Sequence, residues 1–407
     1  MKSSSQTAPE YQSVLTLPKG FRAAGVHAGI KADPSKFDMA LLVSDPPETA
    51  AAGMFTTNKI QAAPVRLGIA RLKNGRARAI VVNSGNANAC TGPQGERDAV
   101  EMARMTADAL GIPEEEVLVS STGTIGKPLN LDPIRRGIPA LASALSTTGG
   151  DAAASGILTT DTRPKVCTTR ISLAGQTVTL SGFCKGAGMI EPNMATMLAY
   201  VCTDAAIAPE ALRAALRCAV DQSFNRISID GDTSTNDSVI AFANGAAGNP
   251  TLRENDPDFA LFQTALNGLL FDLAMKIVWD GEGMSKFIEL RAEGAANDAE
   301  ADKALRAVAT SFLVKTGWAG TYPVWGRIVD VLGYCGVDLN PDRLAMRYDD
   351  LPVMRDGMSA FPDKAALEKI ITGKRYTIAM DLGTGGNGTA VLYTCDCTEE
   401  YVRINMF

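Results

Sequence analysis

The residue in this sequence best suited to covalent chemistry is a threonine placed directly after a small residue. Residues 185–200 read KGAGMIEPNMATMLAY: Ala195 precedes Thr196, Gly186, Gly188, Pro192 and Asn193 fill the approach, and Met197–Thr203 continues as a strand-like run. That layout suits a chain that cuts itself before Thr196 and then uses the new terminal threonine as nucleophile. A threonine hydroxyl needs a base to remove its proton, and histidine is the usual one. The sequence has one histidine, His27, among Gly25, Val26 and Gly29, so a Ser-His-Asp or Cys-His arrangement would depend on that residue alone. An N-terminal threonine avoids the difficulty, because its α-amine, with a pKa of about 7.7–8.0, can itself act as base. As an isolated dipeptide, Ala195-Thr196 would more simply begin a strand, where a β-branched residue fits well.

Other residues offer what acyl transfer demands. Attack on an amide carbonyl puts negative charge on its oxygen, and a fixed donor aimed there contributes about 3–4 kcal/mol. Ser121-Thr122-Gly123 could supply two such donors. Thr122 has a hydroxyl, and Gly123 lets a backbone N–H approach closely. Without context the same residues form a turn after a strand over Val117–Ser120. Lys185, eleven residues before Thr196, has the charge to neutralise a substrate carboxylate or to lower the pKa of a nearby α-amine. Alone it would be a solvated loop lysine. Glu282 would pair with a substrate ammonium; alone it would end a helix after Trp279. Two further signals lead elsewhere. Gly383–Gly388 fits GxGxxG, but the strand-like TAVLYTC follows it, where a dinucleotide fingerprint needs a helix N-terminus; a β-turn is expected. NSGNANACTG (Asn83–Gly92) lacks the Lys-Ser/Thr ending of a P-loop and reads as a tight backbone loop shaping the site.

The elements that must position these residues alternate along the chain without a short repeat. Arg76–Asn83 is a β-branched run, and Glu96–Leu110 reads as a helix stopped by Gly111 and Pro113. Ala208–Asp221 is the clearest helix, with Pro209 near its first turn and Leu212, Ala215, Leu216, Ala219 and Val220 along one stripe. Further helices are expected over Pro257–Trp279 and Asp298–Phe312, and a strand over Gln176–Phe183 leads into the cut-site loop. The mixture predicts α/β layers with sheets covered by helices, and 407 residues exceed what one core usually supports, so two lobes are expected. A net charge of −6 supplies no basic field for nucleic acid, so an anionic substrate would rely on local lysines and arginines. No apolar stretch is read as approaching the ~18–20 residues that span a bilayer, and MKSSSQTAPEYQ lacks the apolar core of a secretory signal. A cytoplasmic protein without membrane contact is the expectation. The eight cysteines are expected as reduced thiols. The Cys395/Cys397 pair has no second pair at zinc spacing, and no metal, flavin or nucleotide cofactor is expected.

Beyond these residues lie longer segments in a characteristic order: PKGFRAAGVHAGIK (Pro18–Lys31), MFTTNKIQAAPV (Met54–Val65), VVNSGNANACTG (Val81–Gly92), SSTGTIGKPL (Ser120–Leu129), LTTDTRPK (Leu158–Lys165), NRISIDGDTSTNDSV (Asn225–Val239), DGEGMSKF (Asp280–Phe287) and EYVRIN (Glu400–Asn405). With Lys185–Leu198 they resemble the ornithine acetyltransferases of arginine biosynthesis, also called glutamate N-acetyltransferases, over nearly the whole chain. The resemblance implies a two-lobed α/β fold cut at the lobe junction into an α chain (1–195) and a β chain (196–407) that stay intertwined in an α2β2 assembly. It implies cleavage between Ala195 and Thr196, Thr196 as nucleophile, and Thr122 with Gly123 as oxyanion hole. Thr159, Lys185, Thr196, Glu282 and Asn405 would contact substrate. The acetyl group would pass from N-acetylornithine to Thr196 and then to glutamate; whether acetyl-CoA also serves as donor stays open. One departure is expected to matter. The family places a threonine or serine five residues after the asparagine of this last motif, whereas this sequence stops at Phe407, removing a contact of ~0.5–1.5 kcal/mol. Alternatives are a self-cleaving amidohydrolase or aminopeptidase using the same threonine, and a non-catalytic paralogue.

Overall fold

Small and β-branched apolar residues run through the first half of the chain, and they form strands there. The computed structural model describes residues 9–191 and 197–406. Its strands are, in order, β1 (Tyr11–Gln12), β2 (Phe21–Val26), β3 (Met39–Ser44), β4 (Ala50–Phe55), β5 (Ala79–Asn86), β6 (Val117–Thr124), β7 (Lys165–Leu173), β8 (Gln176–Lys185), β9 (Leu198–Thr203) and β10 (Ser238–Ala243). Helices α1 (Ala63–Arg71), α2 (Gly92–Leu110), α3 (Leu131–Ala144), α4 (Gly150–Gly156), α5 (Pro209–Asp221) and α6 (Phe259–Val278) intervene. These elements make up a first compact unit, the described parts of Met1–Gly186, Pro192–Asn225 and Thr233–Lys276, which takes in all of α6 but its last two residues.

Two sheets form this unit, ordered β1-β7-β8-β9-β10-β4 and β2-β3-β5-β6. Successive strand residues point to opposite faces, and the smaller sheet uses both. Ala24, Met39, Leu41, Val81 and Val119 share a core with Met102 and Ala103 of α2 and Ile134 and Ile138 of α3. Ala23, Ala40, Leu42, Ile80 and Leu118 share another with Phe183, Leu198, Tyr200 and Phe242 of the larger sheet. On the far side of the larger sheet, Gly182 of β8 leaves no room for a Cβ beyond contact at 3.0 Å with Leu269 and Leu273 of α6. The layers therefore run helix, sheet, sheet, helix.

The reading that no apolar stretch could span a bilayer needs correction. By length and composition α6 is such a stretch, 20 residues with a mean hydropathy of 1.3, and it is the one such helix among the described residues. Half of that stretch is buried inside the protein, with Phe262, Leu266, Leu269 and Leu273 in the core; a core helix is apolar for that reason alone.

The second unit comprises Ala187–Glu191, Arg226–Asp232 and Ile277–Phe407. Its strands β11 (Phe287–Ala295), β12 (Ala345–Tyr348), β13 (Leu351–Arg355), β14 (Met358–Ser359), β15 (Arg375–Asp381) and β16 (Gly388–Cys395) form one sheet ordered β14-β13-β12-β15-β11-β16. Ile288, Leu290, Ile378 and Leu392 of the sheet pack on α7 (Asp298–Thr310), α8 (Phe312–Ala319), α9 (Trp325–Tyr334) and α10 (Lys364–Ile371) through Leu305, Trp318, Ile328 and Leu367. The helix expected to reach Phe312 stops at Thr310, because Ser311 turns extended (φ −67, ψ 110) and caps the next one. A final helix, α11, spans Glu399–Asn405. The GxGxxG segment is a turn between β15 and β16, with Gly383 and Gly385 at positive φ.

Candidate active site

The oxyanion candidates sit at the end of β6, which runs parallel to β5 with Ser84 opposite Thr122 and Gly85 opposite Gly123. The strand continues through Thr124 instead of turning after Ser120, because β5 and its loop hold it on the sheet. Ser121 Oγ donates to Asn83 Oδ1 at 2.6 Å. Asn236 Nδ2 donates to the Ser121 carbonyl at 2.8 Å and to the Ala87 carbonyl at 2.6 Å, tying strand and loop together. Gly123 has φ +130, and a Cβ there would fall 2.4 Å from the Gly85 carbonyl carbon; only glycine lets the backbones approach this closely. Thr122 is buried while Gly123 is exposed, so the candidate hydroxyl and the candidate backbone N–H belong to adjacent residues at the strand's end.

A cluster of charges gathers around Thr159 and Lys185 in the same unit. Lys185 ends β8 and is 8% exposed, not the solvated loop lysine that its sequence suggests in isolation. Its ammonium makes no direct hydrogen bond or contact ion pair among the described residues. Beside it the Asp161 side chain, fully shielded, receives Lys165 Nζ at 2.6 Å and the Gly186 N–H at 2.7 Å on Oδ1, and the Thr159 N–H at 3.1 Å on Oδ2. Burial alone would raise the Asp161 carboxyl, but the Lys185 and Lys165 ammoniums and these donors outweigh it and hold the group at about 2. Lys31 reaches the same region: Nζ donates to the Leu158 carbonyl at 2.7 Å and the Phe37 carbonyl at 2.8 Å. Burial draws its pKa down against the opposing pull of Asp38.

The second unit contains the other two expected contacts, and it brings them together. Asn405 Nδ2, on α11, donates to Glu282 Oε2 at 2.7 Å. The Glu282 N–H donates to the Ala187 carbonyl at 2.8 Å, and a Cβ on Gly188 would lie 2.4–2.5 Å from the Glu282 carboxylate. Glu282 thus faces the backbone leading toward the expected cut. Asp230 fixes that same stretch by accepting the Met189 N–H at 2.6 Å and the Ile190 N–H at 2.7 Å, and Tyr401 Oη donates to it at 3.1 Å. Burial and the Asp230 carboxylate both raise the Tyr401 phenol, keeping it a donor. Glu191 is held by Arg306 at 2.7 Å.

The family model named ArgJ matches residues 22–406 of this chain. The "arginine biosynthesis bifunctional protein ArgJ" of Symbiobacterium thermophilum is 49% identical over 96% of this chain and 97% of its own. That of Geobacter sulfurreducens is 48% identical over 95% and 98%. The chain belongs to the ArgJ family. Among solved structures, the ornithine acetyltransferase of Mycobacterium tuberculosis complexed with ornithine is 40% identical, covering 46% of this chain and 100% of the solved chain, with a TM-score of 0.43.

In this ArgJ-family chain, Ala195 and Thr196 lie outside the described residues. The neighbouring Met197 is buried, and its carbonyl accepts the Ser238 N–H at 3.0 Å. His27 belongs to a loop organised by the buried Asp38, which accepts the N–H groups of Ala28, Gly29, Ile30 and Lys31 at 2.6–3.1 Å; His27 Nδ1 lies 2.9 Å from the Lys36 carbonyl and 3.4 Å from Asp38. All eight cysteines are unpaired. Burial pushes the Cys184 and Cys395 thiols up to about 12. No cluster of metal-ligating side chains occurs among the described residues. Sequence reasoning missed Asp161, Asp230 and Asn236. Each lies in a segment that carried the resemblance, and an acid or amide there was the available signal.

Proposed function

We propose that this ArgJ-family enzyme transfers the acetyl group of N-acetylornithine to glutamate through an acetyl ester on Thr196. Membership of the family across residues 22–406 is the observation that carries the reading, with the glycine-dependent approach at the end of β6 as its geometric support. The precursor first cuts itself: Thr196 Oγ attacks the Ala195 carbonyl, the peptide C–N bond breaks, and water hydrolyses the resulting ester to leave chains 1–195 and 196–407. In the mature enzyme the freed α-amine takes the proton of Thr196 Oγ as the oxygen attacks the acetyl carbonyl. Thr122 Oγ and the Gly123 N–H donate to the oxyanion. The amide C–N bond breaks, the leaving nitrogen takes the proton, and ornithine departs. The amine of glutamate then attacks the ester, releasing N-acetylglutamate and regenerating Thr196.

Each unit by itself offers one kind of contact. In the first, Lys185, with Lys31 and Lys165 nearby, receives a substrate carboxylate beside Thr159; in the second, Glu282, steadied by Asn405, receives an ammonium. The relatives' description as bifunctional supports assaying acetyl-CoA as a second donor. A cytoplasmic α2β2 enzyme belongs to the same proposal. Thr196→Ala is expected to run as a single band near the full mass of 42.8 kDa on a denaturing gel, without transferase activity. Normal cleavage of that variant would overturn the proposal, and acetate released without glutamate would make the enzyme a hydrolase.

A further inference from the structure

We propose that Asp161 is a positioning residue for acetyl transfer: its carboxylate joins the Thr159 segment to the Lys185 strand end and sets the spacing at which the two meet the substrate's carboxylate. The inference rests on the function proposed above, and it concerns a residue that contacts no reacting atom.

The geometry carries it. Thr159 follows α4 and Lys185 ends β8, and no strand pairing joins these two segments. Asp161 supplies the missing link, because its two oxygens are divided between them. Oδ2 takes the Thr159 N–H, and Oδ1 takes the N–H of Gly186, the residue directly after Lys185. Lys165 Nζ shares Oδ1 at 2.6 Å, and Lys165 lies opposite Cys184 in the β7–β8 register, one residue from Lys185. Three donors from three places in the chain thus converge on one carboxylate.

Stability alone gives little reason to prefer this charged pair over apolar side chains of similar size. Both side chains of the Asp161–Lys165 pair are almost fully shielded, at 0% and 1% exposure. Removing two charges from water costs about as much as their attraction returns, so buried pairs are weak evidence for stability. What the pair does secure is a fixed anion next to Lys185. A lysine 8% exposed whose ammonium has no direct partner among the described residues needs an opposite charge nearby to offset its burial and needs its backbone fixed to remain aimed. Asp161 meets both needs, the second through Gly186. Lys31 donates to the Leu158 carbonyl and so also holds the residue before Thr159.

The test is steady-state kinetics on cleaved enzyme carrying Asp161→Asn, which keeps the size of the side chain and removes its charge. KM for both N-acetylornithine and glutamate is expected to rise at least about tenfold, with kcat within about threefold of the parent. A merely structural loss would instead lower the fraction of active enzyme and leave KM alone. A cycle with Lys185→Met sharpens the readout: in that background Asp161→Asn should change KM less than about twofold, because its effect travels through Lys185. If the single variant fails to fold, Asp161→Asn with Lys165→Met removes both charges of the buried pair together, and the same rise in KM is expected. Parental KM values in the folded variant, or additive losses in the cycle, would overturn the proposal. An inactive parent enzyme would instead overturn the acetyl-transfer reading on which it stands.

Discussion

At Thr122 the side chain and the backbone do separate jobs. In the proposed mechanism the hydroxyl donates to the oxyanion, while the Ser121 carbonyl before it is pinned by Asn236. Truncation to alanine should therefore leave the strand in place and remove only the donor. Thr122→Ala is expected to lower kcat by about 10²–10³ with little change in KM, measured as acetyl transfer to glutamate. Asp161 makes a second prediction at this scale. Its carboxyl sits at about 2, below the ordinary aspartate value of 3.8. A depressed pKa means stability that is present above about pH 4 and lost as pH falls toward 2, on the order of 2 kcal/mol. The charged groups that face it are the ammoniums of Lys165, Lys185 and Lys31. The gap in urea unfolding free energy between the parent and Asp161→Asn should be full at pH 5 and should shrink toward pH 2; a constant gap would contradict the assignment.

Elements set how these side chains are presented, and glycines mark the tightest places. Gly123 combines φ +130 with a hypothetical Cβ 2.4 Å from the Gly85 carbonyl carbon and 2.6 Å from the Asn86 nitrogen. Backbone cannot yield as a side-chain end can, so Gly123→Ala should cost about 1–3 kcal/mol of stability and most of kcat. Denaturant titration alongside kinetics would measure both. Gly188 differs, because the atoms a Cβ would meet belong to the Glu282 carboxylate. Gly188→Ala should displace that carboxylate from Asn405 and raise KM several-fold while the fold persists, since the cost of a flexible side chain moving is about 1 kcal/mol; an unchanged KM would remove Glu282 from the substrate contacts. The segment around Gly188 is independently tied to Asp230 through two backbone N–H groups, so the substitution tests Glu282 and not the whole loop.

For the whole molecule, the larger sheet of the first unit decides what cleavage can do. Strand β8 precedes position 195 and β9 follows it, and the two pair antiparallel from Leu180↔Thr203 to Lys185↔Leu198. Strand β10 then lies between β9 and β4, so β9 and β10 of a 196–407 chain are enclosed by strands of a 1–195 chain. Separation would break two ladders and open the core around Tyr200 and Phe242. The two fragments of cut enzyme should co-elute in native size-exclusion chromatography and part only in denaturant; fragments that separate without denaturant would contradict this sheet order. The compact units do not follow the cut either, since 192–225 and 233–276 fold with the N-terminal half.

Chemistry that is local in sequence was legible in it. Thr122 and Gly123 are adjacent, so one short segment named both oxyanion candidates. The helix Pro209–Asp221 and the strand after the GxGxxG segment also announced themselves, because their apolar spacing and turn residues lie within a dozen positions. Lys185 and Glu282 were nameable as charges, but not as a buried ammonium and a carboxylate held by Asn405. Asp161 reaches Gly186 across 25 residues, Asp230 reaches Tyr401 across 171, and Asn236 reaches Ser121 across 115. A carboxylate's partners at such distances carry no period and no motif; the fold alone selects them, because burying a polar group is tolerable only where donors converge on it.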